Sequence, residues 1–128
     1  MNLLLDTHVF LWYISGDRRL PELIRDHIRD QNNIVYLSVV SVWEVMIKYQ
    51  LGKLPLPESP ESYLPLQREK HQIESLTLDE MSVARLSDLP NYHRDPFDRI
   101  LICQALRHDL VIATVDSQMH SYAVQVLL

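Results

Sequence analysis

The chain has 128 residues, 47% of them hydrophobic, a formal charge of −5 and a single cysteine. That fits one domain spanning residues 1–128 with a sizeable core. It excludes disorder, an internal disulfide and a protein that holds duplex DNA by blanket attraction to phosphates. Only two glycines occur, Gly16 and Gly52, so neither G-x-G-x-x-G nor a P-loop can be assembled. No apolar run approaches the roughly 18–20 residues of a membrane span. The Leu3-Leu4-Leu5 run stops at Asp6, too short for a signal-peptide core, and the expected location is the cytoplasm.

Asn2 to Leu5 reads as a short buried strand ending at Asp6. Val9 to Ile14 is apolar and aromatic, a short helix closed by Ser15-Gly16-Asp17. Pro21 opens a helix to Asp30, with Leu23, Ile24 and Ile28 on one face. Ile34 to Leu37 is a second strand and Ser38 to Leu51 a long helix, with Gly52 at its C-terminal cap. Leu54 to Pro65 carries four prolines and reads as a stiff connection with a short helix starting at Ser59-Pro60. Ile73 to Leu76 is a third strand. Thr77-Leu78-Asp79-Glu80 has the T-x-x-E capping form and opens a helix to Ser87. After a loop from Asp88 to Arg94, Asp95 to His108 is a helix, Leu110 to Thr114 a fourth strand, Asp116 to Ser121 a short helix and Val124 to Leu127 a last edge strand. Short apolar strands alternating with helices predict an α/β fold, a mainly parallel sheet of four to five strands between two helical layers. Ligands of such sheets bind off the carboxyl ends of the strands.

That edge collects acids. Asp6 directly follows the first strand, and Asp116 lies two residues beyond the fourth; each is also a plausible helix N-cap. Glu44 sits one turn into the helix after the second strand and shares a face with Val40, Ser41, Ile47 and Leu51, so it points inward and needs a partner, either Lys48 at i+4 or a metal. In Asp95-Pro96-Phe97-Asp98, Asp95 fits an N-cap before a proline at the first helical position. Asp98 shares its face with Ile102 and Ala105. Four carboxylates converging on one edge repel one another unless something compensates them. Hard cations such as Mg²⁺ or Mn²⁺ prefer oxygen ligands and remove that penalty. Such a site suits phosphodiester hydrolysis, in which a metal orients water, lowers its pKa and neutralises charge on the phosphoryl oxygens.

The stretches LLLDTH, SVWEVMIKYQLGKL, RDPFDRILICQA and IATVD, in this order, resemble the PIN-domain family, and in particular its small bacterial VapC-type toxins. The resemblance runs from Met1 to Asp116. It implies an α/β/α domain with Mg²⁺- or Mn²⁺-dependent endoribonuclease activity, an RNA substrate, a homodimer and a cognate antitoxin partner. By resemblance, Asp6, Glu44, Asp98 and Asp116 are the catalytic, metal-holding acids. Asp95 supports them from behind, and Thr114 matches the hydroxyl of T-x-D that orients Asp116 or a bound water.

Ser41 is expected to bond the helix backbone or a neighbouring acid. Lys48, Arg94 and Arg99 are the cations nearest the acids, either holding substrate phosphates or pairing with Glu44 and Asp95. His8 and His93 lie near the site, with surface or capping roles expected. The six histidines show no zinc spacing. Trp43 and Cys103 are expected in the core, and Trp12 and Tyr13 are candidates for a partner contact. Two other readings stand beside the nuclease. One is a haloacid-dehalogenase-like phosphatase, disfavoured because His8 stands where a second Asp belongs. The other is a non-catalytic RNA- or protein-binding module whose acids only cap helices.

Overall fold

The structure is a computed structural model and describes residues 1–127. Five strands form one sheet: β1 (Asn2–Leu5), β2 (Ile34–Ser38), β3 (Glu74–Leu76), β4 (Val111–Ala113) and β5 (Val126–Leu127). Their order is β3-β2-β1-β4-β5, and every pairing is parallel. Six α-helices connect them: α1 (Thr7–Ser15), α2 (Glu22–Arg29), α3 (Val39–Gln50), α4 (Pro60–Lys70), α5 (Glu80–Ala84) and α6 (Pro96–His108). This is the α/β architecture expected from the sequence.

Period-two alternation decides which layer each strand residue serves. Leu3 and Leu5 pack toward α1, α2 and α4 with Phe10, Ile24 and Leu64, all at most 1% exposed. Leu4 faces the opposite layer, with Leu101, Ile102, Cys103 and Ile112. Burying a leucine of this kind contributes about 1.5–3 kcal/mol. Cys103 is fully buried, as expected of a small hydrophobe.

The chain winds outward from β1 to β2 and β3, then returns to β4 on the other side of β1. The connections therefore diverge between β1 and β4, where a crevice opens at the carboxyl end of the sheet. A buried polar tie fixes α6 beside that crevice: Gln104 of α6 accepts from the Ser38 hydroxyl at 2.6 Å and donates to the Thr77 carbonyl at 3.2 Å. Ser38 also caps α3 by accepting from the Val40 amide.

Three local expectations change. The proline-rich connection gives way at Pro60 to an eleven-residue helix, α4, that runs through Pro65. Pro60 occupies the start, where its missing N–H costs nothing, and Pro65 lies on the solvent face, where water can reach the carbonyl it leaves unpaired. The cap of α5 is Asp79, not Thr77; its carboxylate accepts from the Ser82 amide at 2.7 Å, and the helix is a single turn passing into a 3-10 turn at Arg85–Asp88. Trp43 is 58% exposed rather than in the core, its ring edge-on to Phe97 with centroids 5.1 Å apart.

Candidate active site

Each acid reaches the crevice from a different element. Asp6 ends β1 and stands at the N-cap of α1, yet its side chain caps nothing. Instead its Oδ2 accepts from the Thr114 hydroxyl at 2.7 Å, and Thr114 Oγ1 in turn accepts from the Asp116 amide at 3.0 Å. Thr114 thus joins the ends of β1 and β4. Glu44, 3% exposed on α3, accepts from the Thr7 hydroxyl at 2.8 Å and is ion-paired with Lys48. A carboxylate can only accept and Thr7 has one hydrogen to give, so the Ser41 hydroxyl, 2.8 Å away, donates back to Thr7. Ser41 therefore reaches the acid through Thr7.

Asp116 divides its two oxygens. Oδ1 caps the 3-10 turn at Gln118 N, 3.0 Å, and Oδ2 lies 2.7 Å from His93 Nε2. His93 is buried, stacked on Tyr122 with ring centroids 5.4 Å apart, and its Nδ1 is 2.9 Å from the Tyr122 hydroxyl. Because the carboxylate accepts, Nε2 carries the hydrogen, and in the neutral ring Nδ1 accepts from Tyr122. The surface or capping role expected for His93 is replaced by this buried one.

At the N-terminus of α6, Asp95 is the cap, accepting from the Phe97 amide at 2.8 Å. Asp98, one turn in, accepts no hydrogen bond from the described residues. Burial, then the negative charges of Asp6, Asp95 and Glu44, push its carboxyl up to about 7, with His93 acting the other way. Burial also raises Asp6, against the Thr114 hydrogen bond and the nearby His8. Lys48 is disfavoured as a cation by burial, but its bond to Glu44, with Asp95 and Asp98 behind it, lifts it above the ordinary lysine value.

Asp6, Glu44, Asp98 and Asp116 line one cleft of about 270 Å³, together with Asp95 and Lys48. A ring nitrogen of His93 and one carboxylate oxygen each of Asp98 and Asp116 lie within 4.8 Å of one another. Arg94 is exposed at the surface. Arg99 is not paired with Asp95; its guanidinium donates to the carbonyls of Pro90, His93 and Leu89, fastening the loop that carries His93. Thr7 and Tyr122 escaped the sequence reading. Thr7 could have been found, since it follows Asp6 directly and begins a helix; Tyr122 leaves no local signal.

The PIN domain family model matches residues 3–125. The chain is a PIN domain. This PIN domain is 39% identical over 57 residues to Ribonuclease VapC16 of Mycobacterium tuberculosis (strain ATCC 25618 / H37Rv), a stretch covering 44% of the chain and 40% of that relative. Its fold is similar to a chain in the crystal structure of VapBC2 from Rickettsia felis bound to promoter DNA, with TM-score 0.75 and 14% identity over 99% of this chain and 98% of that one. It is also similar to a chain in a toxin-antitoxin complex from Klebsiella pneumoniae, with TM-score 0.65 and 16% identity over 98% and 96%. No helix among the described residues is long and apolar enough to cross a membrane.

Proposed function

We propose that this PIN domain is a Mg²⁺- or Mn²⁺-dependent endoribonuclease and the toxin of a type II toxin–antitoxin pair, acting in the cytoplasm. The observation that carries the reading is Asp98: a half-buried carboxyl without a hydrogen-bond donor among the described residues, lining a cleft that four further acids share. The match to a ribonuclease supports it.

The donor set fits a hard divalent cation. All four groups are carboxylates, the charges of Asp6 and Glu44 disfavour ionisation of Asp98, and among the cleft's lining residues Lys48 supplies a compensating positive charge on one side. Asp6, Glu44, Asp98 and Asp116 would hold the ion. When bound, it would orient a water toward the phosphodiester and neutralise charge developing on the phosphoryl oxygens. The protein's own contribution is positioning. Thr114 fixes one oxygen of Asp6, Thr7 one oxygen of Glu44, and His93 one oxygen of Asp116. Asp6 keeps its remaining oxygen for the cleft in a set orientation, whereas the second oxygen of Glu44 is shared with Lys48 and that of Asp116 with the turn it caps. Asp98, whose carboxyl is raised to about 7, would serve as a ligand in its ionised form. Lys48, together with the exposed Arg94, would take the RNA phosphates, and Asp95 keeps α6 started behind them.

A non-catalytic module whose acids merely cap helices accounts for Asp95 and half of Asp116, but not for Asp6, which stands at a cap position and does not cap. Two partners belong to the proposal: a cognate antitoxin, supported by the similarity to a toxin-antitoxin complex, and a second copy of the chain. The test is cleavage of structured RNA by the purified chain with Mg²⁺ or Mn²⁺, with calorimetric titration of Mn²⁺. RNA cut by wild type and spared by Asp98→Asn, with ion binding lost in parallel, supports the reading. Failure of the wild type to bind Mn²⁺ at millimolar concentration overturns it.

A further inference from the structure

Next to the acid cleft lies a second, larger cavity of about 410 Å³, within the range of small-ligand pockets. One face of α1 forms its floor. His8, Leu11, Trp12 and Ser15 recur at the helical spacing, so the face runs from the acids outward. His8 and Trp12 line both cavities, which therefore adjoin. The opposite wall is Leu54 and Leu56, set in the stiff Pro55–Pro57 segment, with Tyr63 of α4 behind.

One wall is flat and pre-set. The Arg19 guanidinium lies over the Trp12 ring, 4.9 Å from its centroid. Asp17 holds that guanidinium from its edge, with Nη2 2.8 Å from Oδ2 and Nε 3.1 Å from Oδ1. A cation stacked on indole and locked by a two-point ion pair is a planar platform that needs no rearrangement to receive a ligand. Aliphatic and aromatic walls, a planar side and a few polar groups at the rim suit a flat ring that is apolar on its faces and polar at its edges. Single-stranded RNA offers such rings, because unpaired bases can be splayed out and stacked on aromatic side chains or arginine planes.

We propose that this cavity receives one unpaired nucleobase of the RNA strand, directly beside the phosphodiester held at the acids. The proposal rests on the ribonuclease reading and names what that site selects: a strand with a base free to leave its stack. Trp12, with Arg19 on it, is the specificity-determining platform, and Leu56 limits the width of the slot.

The test uses the full chain and a single-stranded oligoribonucleotide that wild type cuts once, plus versions lacking one base at each position beside the cut. Removing the pocketed base lowers kcat/KM roughly ten-fold or more, in keeping with the strength of base–aromatic stacking, while removing a base elsewhere does little. Trp12→Ala lowers kcat/KM on the intact strand by a similar factor and shows no further loss with the abasic strand. Leu56→Trp, which fills the slot by enlarging a half-buried side chain at the edge of the core, reproduces that pattern should Trp12→Ala fold poorly. Binding is read separately, by fluorescence anisotropy of the same strands on Asp98→Asn protein. Base-dependent binding that Trp12→Ala removes, with no RNA cut by wild type, upholds the pocket and overturns hydrolysis. Cleavage with the same abasic penalty in wild type and both variants overturns the pocket and leaves hydrolysis standing. Unchanged cleavage and RNA affinity in Leu56→Trp, with loss of binding to a protein partner, also overturns it and gives the cavity to that partner.

Discussion

The two sides of the acid cleft are built differently. On the β1–α3 side, every acid has a protein donor: Thr114 serves Asp6, while Thr7 and Lys48 serve Glu44. At the start of α6 two acids sit three residues apart and divide the work, Asp95 spending an oxygen on its own helix while Asp98 accepts no hydrogen bond from the described residues. The contrast separates carboxylates that protein donors hold from one that none of the described residues holds. Spacing alone makes Asp95 and Asp98 look alike; hydrogen bonding distinguishes them.

The harshest test of that distinction is removal of the free acid. Asp98→Asn should lower RNA cleavage by roughly 10³-fold or more and abolish calorimetric Mn²⁺ binding, since loss of a ligand removes the transition-state charge stabilisation the ion provides. Next come the holders. Thr7→Val or Thr114→Val should cost about 10- to 100-fold in Mn²⁺ affinity or kcat with the circular-dichroism spectrum unchanged; activity equal to wild type would show that the hydroxyls do not position the acids.

The same free acid should weaken the ion-free fold at alkaline pH. Its carboxyl titrates near 7 when folded and near 3.8 when unfolded, so folding favours the protonated form. The stability this brings is fully present below 3.8 and is lost as pH rises through 7. Ion-free Asp98→Asn should therefore be more stable than wild type at pH 8, by roughly 1–2 kcal/mol after allowing for partial solvation, and no more stable at pH 4. Urea melts at the two pH values measure this, and a gain that persists at pH 4 would contradict it. Smaller still, Asp95→Ala should cost the ~0.5–2 kcal/mol of a lost cap in a urea melt while most cleavage activity survives. If Asp95→Ala and Asp98→Asn lose activity equally with stability intact, the division of labour at α6 is wrong.

Much of this arrangement was legible from local pattern. Strand ends placed Asp6 and Asp116 at one edge, and helical periodicity turned Glu44 and Asp98 inward, because both signals reside within a few residues of chain. What lay beyond reach depends on distant partners or on solvent. His93 gains its place from Tyr122, 29 positions away, and no single-chain pattern records such a pair. Arg99 was expected to hold substrate phosphates or to pair with Asp95, yet backbone carbonyls claimed it. Pro65 hid a helix because proline argues against one unless its exposed side is known. Trp43 was expected inside on size and hydrophobicity, but its position on α3 turns it outward onto Phe97.

The buried tie from Gln104 to Ser38 and Thr77 has a consequence for control. It welds the helix bearing Asp98 to the strand leading into the helix bearing Glu44, so neither can slide without exposing or orphaning a polar group in the core. The spacing between those two helices is therefore set once the chain has folded. On the proposed ribonuclease reading, control would fall to what reaches the cleft from outside, a covering partner or the supply of the ion.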